Sequence, residues 1–213
     1  MTTLTSSFIE FALKKKVLQF GDFTTKAGRQ SPYFFNLGAF DDGDSLKTLG
    51  EFYANKILNS KIEFDLLYGP AYKGIPLVSS ISIALSAQKI NIPYAYNRKE
   101  IKDHGEGGKI VGSYLKGKVL IIDDVISAGT SVTESFDLIK SFGAVPVGVF
   151  IAIDRQEKGS NELSATQEVF EKYNIPVMPI IGLDDIIKYL QDEIKSQEIL
   201  DKMQIYKDRY GVI

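Results

Sequence analysis

The chain has no cysteine and a single histidine, His104. The first absence excludes a disulfide framework, a thiol nucleophile and a thiolate metal site, and the second excludes a His–His metal pair. No stretch approaches the roughly 18 uninterrupted apolar residues that a membrane span needs. The opening residues, MTTLTSSFIEFALKKK, carry their lysines after the apolar positions, the reverse of a secretory signal. Neither sign of charge prevails: 25 Lys and Arg face 27 Asp and Glu, and a net charge of -2 gives no general attraction to nucleic acid. The expectation is a soluble, cytoplasmic protein with no membrane and no nucleic-acid partner.

What is present suffices for a substantial core, since 44% of the 213 residues are apolar and 24% charged. No repeat or low-complexity linker divides the chain, so one domain over 1–213 is expected. It is organised around residues 119–131, VLIIDDVISAGTS. Val119, Leu120, Ile121 and Ile122 form an apolar run without polar alternation, as in a parallel strand covered on both faces. Asp123 and Asp124 close that strand, and a small-residue turn leads into a helix over 132–142. The carboxyl edge of such a sheet is where ligands bind. Gly129 permits close approach of the backbone, Ser127, Thr130 and Ser131 offer hydroxyls, and free N–H groups at a helix start complement a phosphate. Two acids beside a phosphate cradle need hydroxyls or a divalent cation to offset their repulsion, which a phosphorylated sugar with a metal provides. Either half of the motif alone is also explained by helix capping.

Elsewhere, Ser7 and Glu10 have capping-box spacing for a helix over 7–19, and residues 20–40 read as a β-hairpin turning at 27–30. Asp41 to Asp44 then form a turn and cap for a helix over 45–58. A strand over 64–68 leads through Gly69, Pro70, Ala71, Tyr72, Lys73 and Gly74 into a helix over 75–89. The glycine spacing imitates half a Walker A loop, but Ile75 and Pro76 stand where Lys and Ser or Thr are required. Lys73 can instead serve a diphosphate, or be a plain surface lysine. A strand over 92–97 is followed by RKEIKDHGEGGKIVGSYLKG, in which Arg98, Lys99, Lys102, His104 and Lys109 stand among glycines. This reads as a mobile lid over a polyphosphate, with a solvated hairpin as the alternative. Further strands over 145–154 and 176–181, a helix over 165–173 and helices over 183–206 complete an alternating, doubly wound pattern. Arg155 follows a strand end, where it can take a carboxylate in a fork or join a surface ion pair. Asp184 and Asp185 open a helix, and capping explains them.

Taken together, these segments resemble the type I phosphoribosyltransferases and, within them, the orotate phosphoribosyltransferase family. Residues 119–131 resemble the signature for 5-phosphoribosyl 1-diphosphate (PRPP), GPAYKG the diphosphate loop, RKEIKDHGEGG the catalytic lid, and Lys26 with Phe34 and Phe35 the amino-terminal hood. The resemblance implies an α/β fold, a central mostly parallel sheet flanked by helices, with a hood built mainly from residues 1–40. It implies that Asp123 and Asp124 hold the ribose hydroxyls and help organise Mg²⁺, itself held mainly through PRPP. Ala128, Gly129, Thr130 and Ser131 would bind the 5-phosphate, with Val125, Ile126 and Ser127 also lining PRPP; Tyr72 and Lys73 would contact the diphosphate, and Lys26, Phe34, Phe35, Ser127 and Arg155 would frame orotate. Lys26 would also touch PRPP. Arg98, Lys99, Lys102 and His104 would reach the neighbouring site of a homodimer, with Lys102, Lys99, His104 and Asp124 nearest the chemistry. Three rivals remain at this point: transfer to another base, a PRPP-sensing regulator without catalysis, and a plain α/β scaffold protein.

Overall fold

The computed structural model describes residues 3–25, 27–102, 108–126, 130–159 and 162–212, with the backbone alone at 101 and 102. Six strands form the main sheet in the order β5-β4-β3-β6-β7-β8. They are β3 (Leu66–Gly69), β4 (Tyr94–Lys102), β5 (Gly108–Gly112), β6 (Lys118–Ile122), β7 (Val145–Asp154) and β8 (Val177–Gly182). All pairings are parallel except that of β4 with β5. The continuous apolar run of β6 has the expected cause: Val119 and Ile121 enter one apolar cluster, Leu120 and Ile122 the other, and all are fully buried.

Helices α1 (Leu4–Lys14), α2 (Gly43–Ser60), α3 (Gly74–Ala87), α6 (Leu183–Tyr189) and α7 (Gln197–Tyr210) contribute to one cluster. Helices α4 (Thr130–Ser141) and α5 (Ala165–Tyr173) contribute to the other. A separate antiparallel hairpin, β1 (Leu18–Thr24) with β2 (Gln30–Phe35), forms the hood. Its Leu18 and Tyr33 are buried in the first cluster, so the hood is continuous with the core.

The largest departures from expectation lie at α1, in the lid stretch and at α7. Helix α1 starts three residues early because Thr3, not Ser7, is its cap, accepting from the Ser6 N–H at 3.1 Å. It ends at Lys14 rather than 19: Lys16 takes a left-handed conformation at φ 57°, after which Val17 and Leu18 are buried and begin the hood. The lid stretch is no loop in its described parts. Its two arms are the end of β4 and β5, an antiparallel hairpin. Gly112 anchors this hairpin at φ +92°, where a Cβ would stand 2.5 Å from the Tyr94 carbonyl oxygen. Lastly, α7 runs to Tyr210, beyond the expected end at 206, and a five-residue π turn over Leu190–Ile194 separates it from α6.

Candidate active site

Parallel pairing brings the ends of β3, β6 and β7 to one edge. Tyr68 lies beside Ile121, and Ile122 beside Phe150. The ladder persists one step past β6: the Asp123 N–H donates to the Phe150 carbonyl at 3.0 Å, and the Asp124 carbonyl accepts from Ala152 at 2.9 Å. The buried Tyr53 hydroxyl of α2 donates to the Asp123 carbonyl at 2.9 Å. The backbone of the acid pair is thus fixed by the fold before any ligand arrives.

The two carboxylates differ in their surroundings. Asp123 is 6% exposed, and accepts from the Asp124 N–H at 2.9 Å and from the Ser131 hydroxyl at 2.8 Å. Burial pushes its pKa up to about 6; the Ser131 bond counters this, and the charge of Asp124 adds to it. Asp124 instead receives Lys73 from the turn between β3 and α3. Lys73 therefore serves the acid pair, which the sequence left open against a surface role. Ser131 turns its hydroxyl to Asp123, while Thr130 is exposed at the start of α4. Val125 is half-buried and Ile126 is buried in an apolar cluster, so both side chains serve packing.

The β3–α3 turn is closed by glycine at both ends. A Cβ on Gly69 would stand 2.2 Å from the Gly74 carbonyl oxygen, so the backbones meet where no side chain fits. Asn97 ties this turn to the lid arm: its Oδ1 accepts from the Tyr68 hydroxyl at 3.0 Å and the Ala71 N–H at 2.9 Å. Nothing in the sequence beyond a polar residue near a strand end marked Asn97. A cleft of about 570 Å³ opens here, lined by the turn, Asn97, Arg98, Lys99, Lys109 and the first turns of α4. Tyr72 is 68% exposed beside it, with Lys99 Nζ 5.0 Å from its ring centroid. Arg98 donates to the Gly108 carbonyl across the hairpin at 3.2 Å.

On the other side of the acid pair, Arg155 is not the surface group that one reading allowed. Its Nε donates to Glu157 Oε1 at 2.7 Å, and its guanidinium lies 4.3 Å from the Tyr33 ring centroid. Burial acts to lower its pKa, but Tyr33, Glu157 and Tyr206 outweigh burial and hold it above its ordinary value. Phe35 packs against the core, whereas Phe34 is 43% exposed and stacks on Phe23 at 5.4 Å. Ser31 and Tyr33 both contact Arg155, and strand alternation turns Phe34 to the opposite face. The structure thus gathers Arg155 with Phe35's face of the hairpin and sets Phe34 apart. Lys26, His104, Ser127, Ala128 and Gly129 lie outside the described residues, as does the side chain of Lys102.

The model of the phosphoribosyl transferase domain family matches residues 37–179. Curated orotate phosphoribosyltransferases of Thiobacillus denitrificans and Chromobacterium violaceum are 55% and 56% identical to the chain over 212 residues, covering 100% of it and 100% and 99% of their own lengths. The chain belongs to the orotate phosphoribosyltransferase family. A crystal structure of orotate phosphoribosyltransferase from Francisella tularensis is 45% identical, with a TM-score of 0.89 over 96% of this chain and 99% of that one. The mostly parallel sheet flanked by helices is therefore the fold of an orotate phosphoribosyltransferase relative solved by experiment. Within this orotate phosphoribosyltransferase fold, the sheet edge carries the acid pair and the glycine-bounded 69–74 turn. What sequence reasoning missed are the groups that hold them, Tyr53 and Asn97, and those that surround Arg155: Ser31, Tyr33, Glu157 and Tyr206.

Proposed function

We propose that the chain transfers the 5-phosphoribosyl group of PRPP to orotate, releasing diphosphate and forming orotidine 5′-monophosphate, a step of pyrimidine biosynthesis. The observation that carries the reading is the end-to-end identity with curated orotate phosphoribosyltransferases, on a fold whose one sheet edge holds an acid pair, Lys73 and Arg155. The whole of 1–213 acts as one catalytic unit, in the cytoplasm, where phosphorylated precursors are retained by their charge.

In this reading Asp123 and Asp124 accept the ribose hydroxyls. The 127–131 turn takes the 5-phosphate, with Tyr72 and Lys73 on the diphosphate side. Lys73 then moves from Asp124 to the leaving group as PRPP displaces it, so an internal ion pair is exchanged for one with substrate. Arg155 takes the orotate carboxylate and the Phe35 face of the hood lies against the ring, with Lys26 beside both substrates. Breaking the anomeric bond builds positive charge on the sugar and negative charge on diphosphate, and prepositioned lysines stabilise the latter. Orotate nitrogen attacks from the opposite face, so its placement by the hood sets the rate.

Among the described residues no cluster of three metal-ligating side chains exists, but Mg²⁺ is commonly held by one or two carboxylates together with substrate phosphates. Asp123 and Asp124 fit that donor set. When bound, the cation adds charge neutralisation at the diphosphate. β4 pairs with β3 only over Tyr94–Tyr96, so its remaining residues project past β3 as an arm paired with β5 alone. In the proposal, Arg98, Lys99, Lys102 and His104 on that hairpin complete the site of a second copy in a homodimer.

The test is orotate consumption by the purified protein, followed by absorbance, with PRPP and Mg²⁺ each omitted in turn and adenine, guanine, hypoxanthine and uracil as competing acceptors. Loss of orotate that requires both is expected. Persistence of orotate with consumption of another base would replace the acceptor, and PRPP binding without any consumption would leave only a PRPP-binding protein.

A further inference from the structure

Arg155 is a long side chain with several rotatable bonds, and a directed grip on a carboxylate demands that its plane be fixed. The structure supplies four contacts that fix it. Glu157 Oε1 accepts from Nε at 2.7 Å and lies 2.6 Å from Nη2. Nη2 also donates to the Ser31 hydroxyl and to the Tyr206 hydroxyl, each at 3.2 Å. The Tyr33 ring covers one face of the guanidinium at 4.3 Å. Every one of these contacts uses the Nε and Nη2 side or the face. Among the described residues, Nη1 makes no hydrogen bond.

Tyr206 has a double part in this arrangement. Its hydroxyl accepts from Arg155 and donates to Glu157 Oε1 at 2.7 Å, so one atom ties the cation to its counter-ion. Its ring meets that of Tyr33 edge-on at 6.1 Å. Glu157 in turn cannot swing away, because its Oε2 accepts from Arg29 Nη1 at 3.1 Å. Arg29 is itself tied to the Lys158 carbonyl at 2.8 Å and lies 5.0 Å from the Tyr210 ring centroid. One carboxylate thus serves two guanidiniums and neutralises neither completely.

We propose that Tyr206 and Glu157 are positioning residues for the acceptor: they clamp the Nε and Nη2 side of Arg155 and leave the Nη1 edge turned to the carboxylate of the incoming base. The inference rests on the reading that Arg155 takes that carboxylate. It adds that α7, which carries no residue of the phosphoribosyl site, governs recognition of the acceptor. A mere brace between hood and core would affect stability and both substrates alike. A positioning clamp affects the acceptor alone, and only while Arg155 is present.

The experiment compares Tyr206→Phe, which keeps the ring and loses the hydroxyl, with Glu157→Gln, Arg155→Ala and the double variant of Tyr206→Phe with Arg155→Ala. Orotate and PRPP are varied separately in each, and melting is recorded. Arg155→Ala is expected to raise KM for orotate about 100-fold, and Tyr206→Phe and Glu157→Gln each about tenfold, the scale of a charge-assisted hydrogen bond. KM for PRPP should stay within about twofold, and Tyr206→Phe should add nothing once Arg155 is alanine, as coupled residues behave. If Arg155→Ala raises KM for orotate while Tyr206→Phe and Glu157→Gln leave it unchanged, the positioning role is overturned and the carboxylate grip stands. Equal rises for orotate and PRPP, or full additivity in the double variant, reduce the cluster to a brace and overturn it too. If Arg155→Ala leaves KM for orotate unchanged, the grip and the clamp fall together. Should one clamp variant fail to fold, the other decides.

Discussion

Replacing Asp123 by asparagine should make the protein more stable and less active, and the gain should depend on pH. In the folded chain this carboxyl is buried and its pKa stands at about 6, against 3.8 for an ordinary aspartate. Between those values the folded state holds a proton that the unfolded state has lost. Stability contributed by the group is therefore fully present below about pH 4 and is lost as pH rises through 6. Two pKa units correspond to about 3 kcal/mol, so at pH 8 the ionised Asp123 costs the fold up to that amount. Asparagine removes the charge, keeps an acceptor for the Asp124 N–H, and allows Ser131 to turn its hydroxyl from donor to acceptor. A gain of about 2–3 kcal/mol, or a Tm higher by roughly 5–10 °C for a chain of this length, is expected at pH 8. At pH 4.5 most of it should vanish. The assay is thermal unfolding of wild type and variant across that range, in metal-free and substrate-free buffer, alongside PRPP-dependent turnover. A variant that melts at or below wild type at pH 8, or gains equally at both pH values, would refute the claim that burial of charge dominates at this position.

Other consequences are as concrete. KM for PRPP should rise as pH falls below about 6, because the acid pair then takes up a proton and competes less well for ribose hydroxyls and cation; a flat profile from pH 5 to 8 contradicts this. Gly69→Ala would drive a Cβ to 2.2 Å from the Gly74 carbonyl, and should cost more than about 3 kcal/mol or abolish PRPP binding, read by melting and titration. The Tyr33 hydroxyl is buried without a partner among the described residues, so Tyr33→Phe should leave stability unchanged or raise it by about 1 kcal/mol; a loss of that size would reveal a hidden bond. Lys102→Ala should lower turnover about 100-fold with little change in PRPP affinity, and mixing it with Asp124→Asn should restore some activity if lids serve neighbouring sites. No recovery after verified subunit exchange would argue for sites built within one chain.

The parts of this molecule that could be read in advance are those whose cause is local. Residues 145–154 and 165–173 appear in the structure with the bounds expected from sequence: the first is a contiguous apolar run, and the second is capped at its start by Ser164 and ended by Asn174 in a left-handed conformation. The acid pair was legible for the same reason: strand, carboxylates and small-residue turn are contiguous. The start of α1 was misread because Thr3 and Ser7 both offer a hydroxyl at a helix entrance, and its end because Lys16 adopts a left-handed turn without glycine or proline to announce it. The surroundings of Arg155 were hidden by distance along the chain. Ser31 stands 124 positions before it and Tyr206 51 after it, and no periodicity links such residues until the hood and α7 are folded onto the sheet.

That last separation has a consequence for how the protein is made. A ribosome adding about 5–20 residues per second needs roughly 3–10 s to travel the 51 positions from Arg155 to Tyr206. Throughout that interval the acid pair, the 69–74 turn and the hood have all been synthesised, whereas Arg155 has its hood partners Ser31 and Tyr33 but not Tyr206. On the proposed reading of Arg155, the groups that would hold the sugar donor are therefore made before the one that orients the acceptor.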